Sequence, residues 1–334
     1  MSDVTESLSI GIIGLGFLGS IFAEQIDGHS DARIGAITEI DSDRRAEVGE
    51  EFAIPTEQQY GSYERMLDVA SLNAVAISTP HALHYEQIVA SLDRGLHVLC
   101  EKPLVTELAD ARALADRMDT EDRVLMVGYQ RHLDPAFIRA RERWQGDRTP
   151  NFVTAEITQD LVGGYPDSWY LDPDLSGGGQ LYATGTHLVD AVLWTTGLTP
   201  RAVTASMDFI DQAERVDQHA MITVEFEEGA VGTFSISGAT PRVREHLHLW
   251  DDDGAAYIDG REWGDRTLTL IDADGTERSP YVTEDPISKI DAFVDAIRSG
   301  EAPPATVRDA LRATAVKEAA YEAARRGTRV TVDL

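Results

Sequence analysis

Cysteine is nearly absent from this sequence of 334 residues, and long apolar runs are absent altogether. The single cysteine, Cys100, excludes an internal disulfide and fits a reducing compartment. No run approaches the ~18 apolar residues of a membrane span. The polar, acidic start Met1–Ser9 has no basic segment ahead of an apolar core. We therefore expect a cytoplasmic protein with no secretory signal and no membrane partner.

Basic residues are also few, and lysine is rare among them. The chain carries 58 Asp and Glu against 29 Lys and Arg, a formal charge of −29, and its only lysines are Lys102, Lys289 and Lys317. Because the acids are spread along the chain, their repulsion destabilises a compact state unless salt screens it. This pattern favours a halophilic source, and the alternative is an acidic protein of an ordinary cytoplasm. The same charge repels phosphate backbones, so we expect no nucleic-acid partner.

A glycine-rich turn lies between a short apolar strand and a helical pattern near the start of the chain. The predicted strand Leu8–Ile13 is followed by three glycines spaced Gly-x-Gly-x-x-Gly. In such a unit the glycines allow a tight turn, close approach of a pyrophosphate and close helix packing. The helix N-terminus then faces the phosphates. We predict a dinucleotide site at Gly14, Gly16, Phe17, Leu18 and Gly19.

An acidic residue follows the next predicted strand, Arg33–Thr38. Glu39 lies twenty residues after Gly19, where a carboxylate accepts hydrogen bonds from the adenosine ribose and repels a 2′-phosphate. Arg44 and Arg45 come shortly afterwards and would weaken this preference. We expect NAD as the cofactor, with NADP as the alternative.

Strands and helices continue to alternate to about residue 128, which predicts an α/β domain with a doubly wound parallel sheet. Two of the later strands, Ala74–Ser78 and Leu96–Cys100, each end beside polar residues. We expect these residues to lie near the glycine turn, because the carboxyl ends of parallel strands share one edge of a sheet. The candidates are Thr79, Pro80, His84, Glu101 and Lys102.

The second half of the chain changes to the alternation of half-buried strands. These segments predict an α+β domain with a large, mainly antiparallel sheet. They are Phe152–Thr158, Val203–Phe209, Met221–Phe226, Val231–Ser237 and Leu247–Trp250. We assign residues 1–128 to dinucleotide binding, and residues 129–334 to substrate binding and to a homodimer or homotetramer formed through this sheet. Two amphipathic segments, Ile287–Ile297 and Val307–Arg325, predict helices that pack back on the first domain.

The motifs of the first half resemble the N-terminal domain of the Gfo/Idh/MocA oxidoreductase family. The resemblance rests on Gly14-x-Gly16-x-x-Gly19, Thr79-Pro80-x-x-x-His84 and Glu101-Lys102-Pro103, a combination more specific than any one of its parts. It implies a Rossmann domain, NAD(P)-dependent oxidoreductase activity and a cis peptide bond before Pro103.

A second motif of the same family is similar to the segment from Ser176 to Asp190. Its glycines precede a predicted helix that carries His187 and Asp190 three residues apart, hence on one face. An isolated histidine of this kind is usually structural, but the resemblance favours a catalytic His187. The family's aspartate four residues before the histidine is replaced here by Ala183. We therefore expect Lys102 and His187 to act without it.

Further residues are assigned to the substrate side, namely Asp190, Thr184, Trp169 and Tyr129. We expect Trp169 to stack on the apolar face of a sugar and Tyr129 to line the mouth of the site, with packing as the alternative for both. The remaining histidines of the sheet lack metal-ligand spacing, so we predict no metal.

The leading interpretation is a dehydrogenase that oxidises a hydroxyl of a sugar, sugar acid or polyol, with an aldose oxidised at C1 favoured. Hydride transfer to nicotinamide leaves a carbonyl only if the hydroxyl proton also departs, so a general base is needed. His187 fits this role because histidine titrates near neutral pH, and Lys102 would stabilise the charge on the oxygen. The alternatives are a redox-neutral enzyme with tightly bound NAD and a non-catalytic dinucleotide-binding sensor.

Overall fold

The structure, a computed structural model, describes residues 7–144, 146, 148–280 and 287–334. Within this part of the chain, residues divide into two compact units. The first contains residues 7–105, 113–128 and 287–307, and the second contains residues 106–112, 129–280 and 308–334. Compared with the predicted domains, residues 106–112 therefore group with the second unit and residues 287–307 with the first.

The elements alternate between strand and helix in the first half and are mainly strands in the second. The strands are β1 (Leu8–Ile13), β2 (Ala32–Thr38), β3 (Gln59–Tyr60), β4 (Ala74–Ile77), β5 (His97–Cys100), β6 (Leu125–Val127), β7 (Phe152–Asp160), β8 (Pro200–Phe209), β9 (Asp217–Phe226), β10 (Val231–Ser237), β11 (Ala239–Asp251), β12 (Gly254–Arg261), β13 (Arg266–Asp272), β14 (Glu277–Arg278) and β15 (Val330–Thr331). The α-helices are α1 (Phe17–Asp27), α2 (Ser42–Glu51), α3 (Tyr63–Val69), α4 (His84–Leu92), α5 (Leu108–Met118), α6 (Pro135–Arg141), α7 (Pro173–Ser176), α8 (Thr186–Thr196), α9 (Lys289–Ser299) and α10 (Val307–Arg326).

Among the described residues of the first unit, six parallel strands form a sheet in the order β3-β2-β1-β4-β5-β6. This is the predicted Rossmann architecture. The central strands β1 and β4 are buried along their whole length, which explains their continuous apolar sequence. The strand order reverses between these two strands, and open α/β sheets bind ligands at such a switch point. The glycine turn and the Thr79 turn both begin there.

The second unit contains a mixed sheet in the order β14-β13-β12-β11-β7-β10-β9-β8-β15, as far as the described residues extend. Its neighbouring strands pair antiparallel except for the parallel pair of β7 and β10, so the sheet is mainly antiparallel, as predicted. Alternate residues of β7, such as Val153 and Ile157, are buried, and the buried helix α8 packs on this strand. Strands β12 and β13 are not among the predicted strands; β12 contains two glycines and two charged residues, whereas β13 alternates polar and apolar residues at positions 267–270.

The C-terminal helices differ from each other in the unit they join. Helix α9 groups with the first unit, whereas nearly all of α10 groups with the second. Helix α9 begins at Lys289 rather than at the predicted Ile287, because the side chains of Ser288 and Asp291 form a capping box there. None of the helices in the described ranges has the length and hydrophobicity that a bilayer span requires.

The three lysines all lie in the described part of the chain, and none of them is exposed. Lys102 is 9% exposed and Lys317 is fully buried. The side chain of Lys289 is 13% exposed. The outer surface of both units therefore takes its positive charge from arginine.

Candidate active site

The glycine turn after β1 has the geometry of a phosphate cradle. Gly14 has a φ of +89°, in the region that favours glycine. A Cβ on Gly19 would lie 2.0 Å from the carbonyl oxygen of Gly14, so α1 can start this close to the turn only with glycine. A Cβ on Gly16 would meet no described atom within 4 Å, and Phe17 beside it is 83% exposed. The open backbone at the N-terminus of α1 therefore fits the pyrophosphate of a dinucleotide.

Glu39 follows β2, and its carboxylate is fixed against this turn. Its Oε2 accepts a hydrogen bond from the Leu15 N–H at 2.8 Å, and its Oε1 accepts one from the Asp41 N–H at 3.2 Å. The guanidinium of Arg44 reaches the same residue of the turn, with Nε 2.9 Å from the Leu15 carbonyl oxygen. A carboxylate suited to ribose hydroxyls and an arginine suited to a 2′-phosphate thus stand together. These residues fit NAD and also allow NADP.

The turn after β4 is joined to the glycine turn. The hydroxyl of Ser78 donates to the Gly14 carbonyl oxygen at 2.9 Å, and the hydroxyl of Thr79 donates to Oε1 of Gln87 at 2.6 Å. Thr79 and Pro80 are both half-buried. The structure therefore brings these two predicted cofactor turns together at the switch point of the sheet.

His84 connects the Thr79 turn to the turn after β5. Its Nε2 lies 2.9 Å from the Thr79 carbonyl oxygen, and its Nδ1 lies 3.0 Å from the carbonyl oxygen of Pro103, which follows a cis peptide bond as predicted. Burial lowers the pKa of His84, although both carbonyl groups favour its charged form. The ring is fully buried, so it has no surface for the predicted cofactor contact. His84 instead fixes the position of the two turns.

Strand β5 delivers Glu101 and Lys102 into buried surroundings, where they are 2% and 9% exposed. The carboxylate of Glu101 forms an ion pair with the ammonium group of Lys289, the first residue of α9. These two residues are 188 positions apart, and no local pattern indicates their pairing. The ion pair fixes the carboxylate next to Lys102 and attaches α9 to the first unit.

In the second unit, helix α8 carries His187 directly after a π-helical turn, Leu181–Gly185. Such turns are rare and are frequent at functional sites. His187 is 3% exposed. Its imidazole ring lies 5.9 Å from the indole ring of Trp263, a neighbour that sequence reasoning missed.

Asp190 is held by a second histidine. Its Oδ2 lies 3.0 Å from Nε2 of His132, and the ring of His132 stacks on Trp194 at 4.3 Å. Burial raises the pKa of Asp190, and His132 opposes that shift. Asp190 is only 1% exposed, so the structure places this predicted substrate residue in a buried ion pair.

The other predicted substrate residues also have partners within the second unit. The hydroxyl of Thr184 donates to Oε1 of Gln159 at 2.5 Å. Tyr129 is 1% exposed, and its hydroxyl lies 3.1 Å from that of Thr186. The ring of Trp169 stacks on that of Tyr170 at 4.0 Å. The packing alternative therefore describes Tyr129 in this structure.

A buried carboxylate that sequence reasoning missed holds the glycine run ahead of the π-helical turn. Asp217 accepts hydrogen bonds from the N–H groups of Gly179 at 3.1 Å and Leu181 at 3.0 Å, and also from the hydroxyl of Tyr321. A Cβ on Gly179 would lie 2.0 Å from the Asp217 carbonyl oxygen, so the two segments approach more closely than any other residue allows. Burial raises the pKa of Asp217, although all three donors oppose the shift.

Two histidines of β11, His246 and His248, lie close to acidic side chains. Nε2 of His246 lies 3.0 Å from Oε1 of Glu156, and Nε2 of His248 lies 3.8 Å from Oδ1 of Asp259. Within the described ranges, no group of three or more His, Cys, Asp or Glu side chains is arranged to hold a metal ion.

The fold and the glycine cradle define a dinucleotide-binding α/β protein with a second, histidine-bearing unit. The model of an oxidoreductase family with an NAD-binding Rossmann fold matches residues 8–129, and that of the GFO/IDH/MocA C-terminal domain matches residues 149–257. The chain therefore belongs to the Gfo/Idh/MocA family of NAD(P)-dependent oxidoreductases. This confirms the class of fold, enzyme and cofactor predicted from the motifs.

Two relatives that match over nearly their whole length are a sugar dehydrogenase and an inositol dehydrogenase. D-xylose 1-dehydrogenase (NADP(+)) 2 from Haloferax volcanii is 30% identical over 97% of this chain and 98% of its own. Myo-inositol 2-dehydrogenase from Thermotoga maritima is 25% identical over 90% of this chain and 92% of its own. The crystal structure of aldose-aldose oxidoreductase from Caulobacter crescentus has a TM-score of 0.86 and 24% identity, covering 98% of this chain and 100% of that chain. This last likeness shows the fold.

Proposed function

We propose that this protein is an NAD(P)-dependent dehydrogenase that oxidises a sugar hydroxyl, with an aldose oxidised at C1 as the favoured substrate. The observation that carries the proposal is similarity over nearly the whole chain to a xylose 1-dehydrogenase. The helix that bears His187 after a π-helical turn, with an aromatic ring beside it, supports the same substrate class.

In this proposal two residues of the chain carry the proton and charge chemistry. His187 is the general base that removes the hydroxyl proton. Lys102 stabilises the negative charge that develops on the reacting oxygen. When bound, NAD(P) accepts the hydride. Ala183 supplies no carboxylate, so the proton route begins at His187 alone.

The two residues beside Leu15 are proposed to set the cofactor preference. Glu39 favours NAD by binding ribose hydroxyls, and Arg44 offers a partner for the 2′-phosphate of NADP. Both are anchored to the glycine turn, so both face the same end of the cofactor.

We further propose that the protein works in a high-salt cytoplasm and forms a homodimer or homotetramer through the sheet of the second unit. The charge of −29 and the Haloferax relative support the first point. The assembly through the sheet is supported by Phe152 and Val231, two neighbouring apolar residues of β7 and β10 that are 48% and 40% exposed. Light scattering in molar KCl tests the assembly, and a monomer under those conditions would contradict it.

Turnover of a panel of aldoses, polyols and sugar acids, with NAD and with NADP at molar salt, tests the activity. We expect wild-type protein to oxidise at least one aldose. Lys102→Met and His187→Gln should each lower kcat by about 100-fold or more while NAD(H) affinity changes little. His97→Gln is the matched control, because His97 begins β5 at the opposite edge of the sheet.

Two results would replace the proposal with its alternatives. NAD that stays bound through dialysis, without release of NADH into solution, would indicate a redox-neutral enzyme. NAD binding without turnover of any substrate would indicate a dinucleotide-binding sensor. Unchanged turnover in Lys102→Met would remove that residue from the mechanism.

A further inference from the structure

Trp263 lies in the hairpin between β12 and β13 and stands beside His187. The two ring centroids are 5.9 Å apart, and the rings are tilted by 56°. His187 is 3% exposed, whereas Trp263 is 45% exposed, one of the larger exposures among apolar side chains of the described residues. One part of the indole therefore covers the histidine, and another part faces solvent.

A buried cluster of ion pairs holds the hairpin in place. Arg266, three residues after Trp263, donates from Nε to Oε2 of Glu245 at 2.7 Å. Arg131 donates from Nε to Oε1 of the same carboxylate at 3.0 Å. The three side chains that form this cluster are at most 3% exposed. The hairpin is thus attached to β11 immediately after Trp263.

The hairpin is also attached on the other side of the tryptophan. The N–H of Glu262 donates to the carbonyl oxygen of Val243 at 3.0 Å. The side chain of Arg266 passes over Gly260, where a Cβ would lie 2.5 Å from its Nε. Residues on both sides of Trp263 are therefore tied to neighbouring strands, and the indole is presented from a rigid base.

The indole itself contacts one member of the cluster. Cζ of Arg131 lies 5.9 Å from the centroid of the Trp263 ring. A guanidinium at this distance from an aromatic ring attracts it, and this guanidinium is fixed by Glu245. A buried Arg–Glu–Arg cluster is weak evidence for stability, because desolvation opposes the attraction of the charges. Its position behind Trp263 fits a role in orienting the ring.

A flat apolar ring beside a general base is suited to a cyclic sugar. One face of an aldopyranose presents mainly C–H groups, which pack against an aromatic surface while the hydroxyl groups stay available for hydrogen bonds. Trp169, the tryptophan predicted from the sequence to have this role, has its ring stacked on that of Tyr170.

We propose that Trp263 is a specificity-determining residue that packs on the C–H face of a cyclic aldose and directs its hydroxyl towards His187. The inference rests on the dehydrogenase function proposed above, and it narrows the substrate class to ring sugars over open-chain polyols. The Arg131–Glu245–Arg266 cluster acts through Trp263 and is a positioning device.

Steady-state kinetics of Trp263→Ala and Trp263→Phe test the assignment, with Trp250→Ala as the control, because Trp250 pairs with Ala255 near the start of β12, at the end opposite the Trp263 hairpin. Because an aromatic contact is worth about one kcal/mol, we expect the KM of Trp263→Ala for the best aldose to rise roughly 5-fold, with a smaller change in kcat. Trp263→Phe should recover much of this loss, and Trp250→Ala should keep KM within about twofold. The affinity for NAD(H) should be unchanged in all three. Thermal melting verifies folding, and Trp263→Phe carries the test if the alanine variant does not fold.

Tryptophan fluorescence of wild type and Trp263→Phe, titrated with the same aldoses, separates this inference from the proposed function. If wild type oxidises an aldose and KM is the same in Trp263→Ala, the inference is overturned and the function stands. If no sugar is oxidised, but an aldose changes the fluorescence of wild type and not of Trp263→Phe, Trp263 binds sugar and the proposed function fails. Neither turnover nor a fluorescence change would overturn both.

Discussion

The glycine turn of the first unit and the His187 side of the second unit are held in place by different physical means. At the glycine turn the backbone itself is the device, because Gly14 and Gly19 allow a turn that any Cβ would block. In the second unit buried carboxylates are the device, since Asp217 holds the glycine run and Glu245 holds the Trp263 hairpin. Steric rules act between near neighbours, whereas a buried carboxylate joins segments far apart in the chain. The second arrangement depends more strongly on charge.

The largest expected effect comes from breaking the cluster at Glu245. Glu245→Gln leaves two buried arginines without a counter-charge, so we expect the free energy of unfolding to fall by about 4 kcal/mol. Glu225→Gln is the matched control, because Glu225 also pairs with two arginines, Arg201 and Arg329, but at the surface. Urea unfolding at molar salt measures both variants. Equal effects in the two variants would show that burial does not distinguish the clusters.

The loss of stability in Glu245→Gln should depend on pH in a predictable way. Burial alone would raise the pKa of Glu245, but Arg131 and Arg266 outweigh it, so the pKa lies below its ordinary value. A lowered pKa contributes stability above the unfolded value, about 4.3, and this contribution is lost as the pH falls through the folded value. The stability difference between wild type and Glu245→Gln should therefore be constant near neutral pH and should shrink below about pH 4.

The second largest effect is expected from adding a side chain in the glycine turn of the first unit. In Gly19→Ala the new Cβ would lie 2.0 Å from the Gly14 carbonyl oxygen. We expect a loss of about 2 kcal/mol in unfolding free energy together with loss of NAD(H) binding. Gly16→Ala is the control, because its Cβ projects into open space; it should keep wild-type stability and weaken only cofactor binding. Wild-type affinity and stability in Gly19→Ala would show that the turn relaxes.

The smallest expected change in stability comes from removing one of the hydrogen bonds that the Asp217 carboxylate accepts. Tyr321→Phe deletes the hydroxyl and leaves the two backbone donors in place, so we expect a loss of about 1 kcal/mol and a moderate fall in kcat. Because Tyr321 acts through the glycine run, the KM for NAD(H) should not change. Unfolding curves and kinetics at molar salt give both values. A change confined to the cofactor KM would contradict this positioning role.

The difference between local backbone geometry and contacts between distant segments explains which parts of the molecule could be predicted from the sequence. The cofactor side followed from local patterns, since the strand, the glycine spacing and Glu39 all fall within a short segment. The residues that organise the second unit leave no such pattern. Arg131 and Glu245 are 114 positions apart, and Asp217 and Tyr321 are 104 apart.

The sequence could not show which tryptophan lies beside His187. Trp169 and Trp263 both lie among polar residues, and neither composition nor spacing indicates which one stands beside His187. That outcome depends on the pairing of β12 with β11 and of β13 with β12, which the sequence pattern did not show. His187 was identified only through resemblance to a family motif, and its neighbours came from the structure.

The lack of exposed lysine among the described residues gives the folded chain an unusual chemical inertness. Acylating reagents and lysine-specific proteases act on accessible side-chain amines, and here Lys317 is fully buried while the Lys289 side chain is ion-paired and only 13% exposed, so opening of the chain should strongly increase their reactivity. Lys317 is fully buried on α10, so its modification reports opening of the second unit, while that of Lys289 reports release of α9 from the first. With one lysine on α9 and another on α10, amine labelling resolved by mass spectrometry would measure the two units separately in one sample.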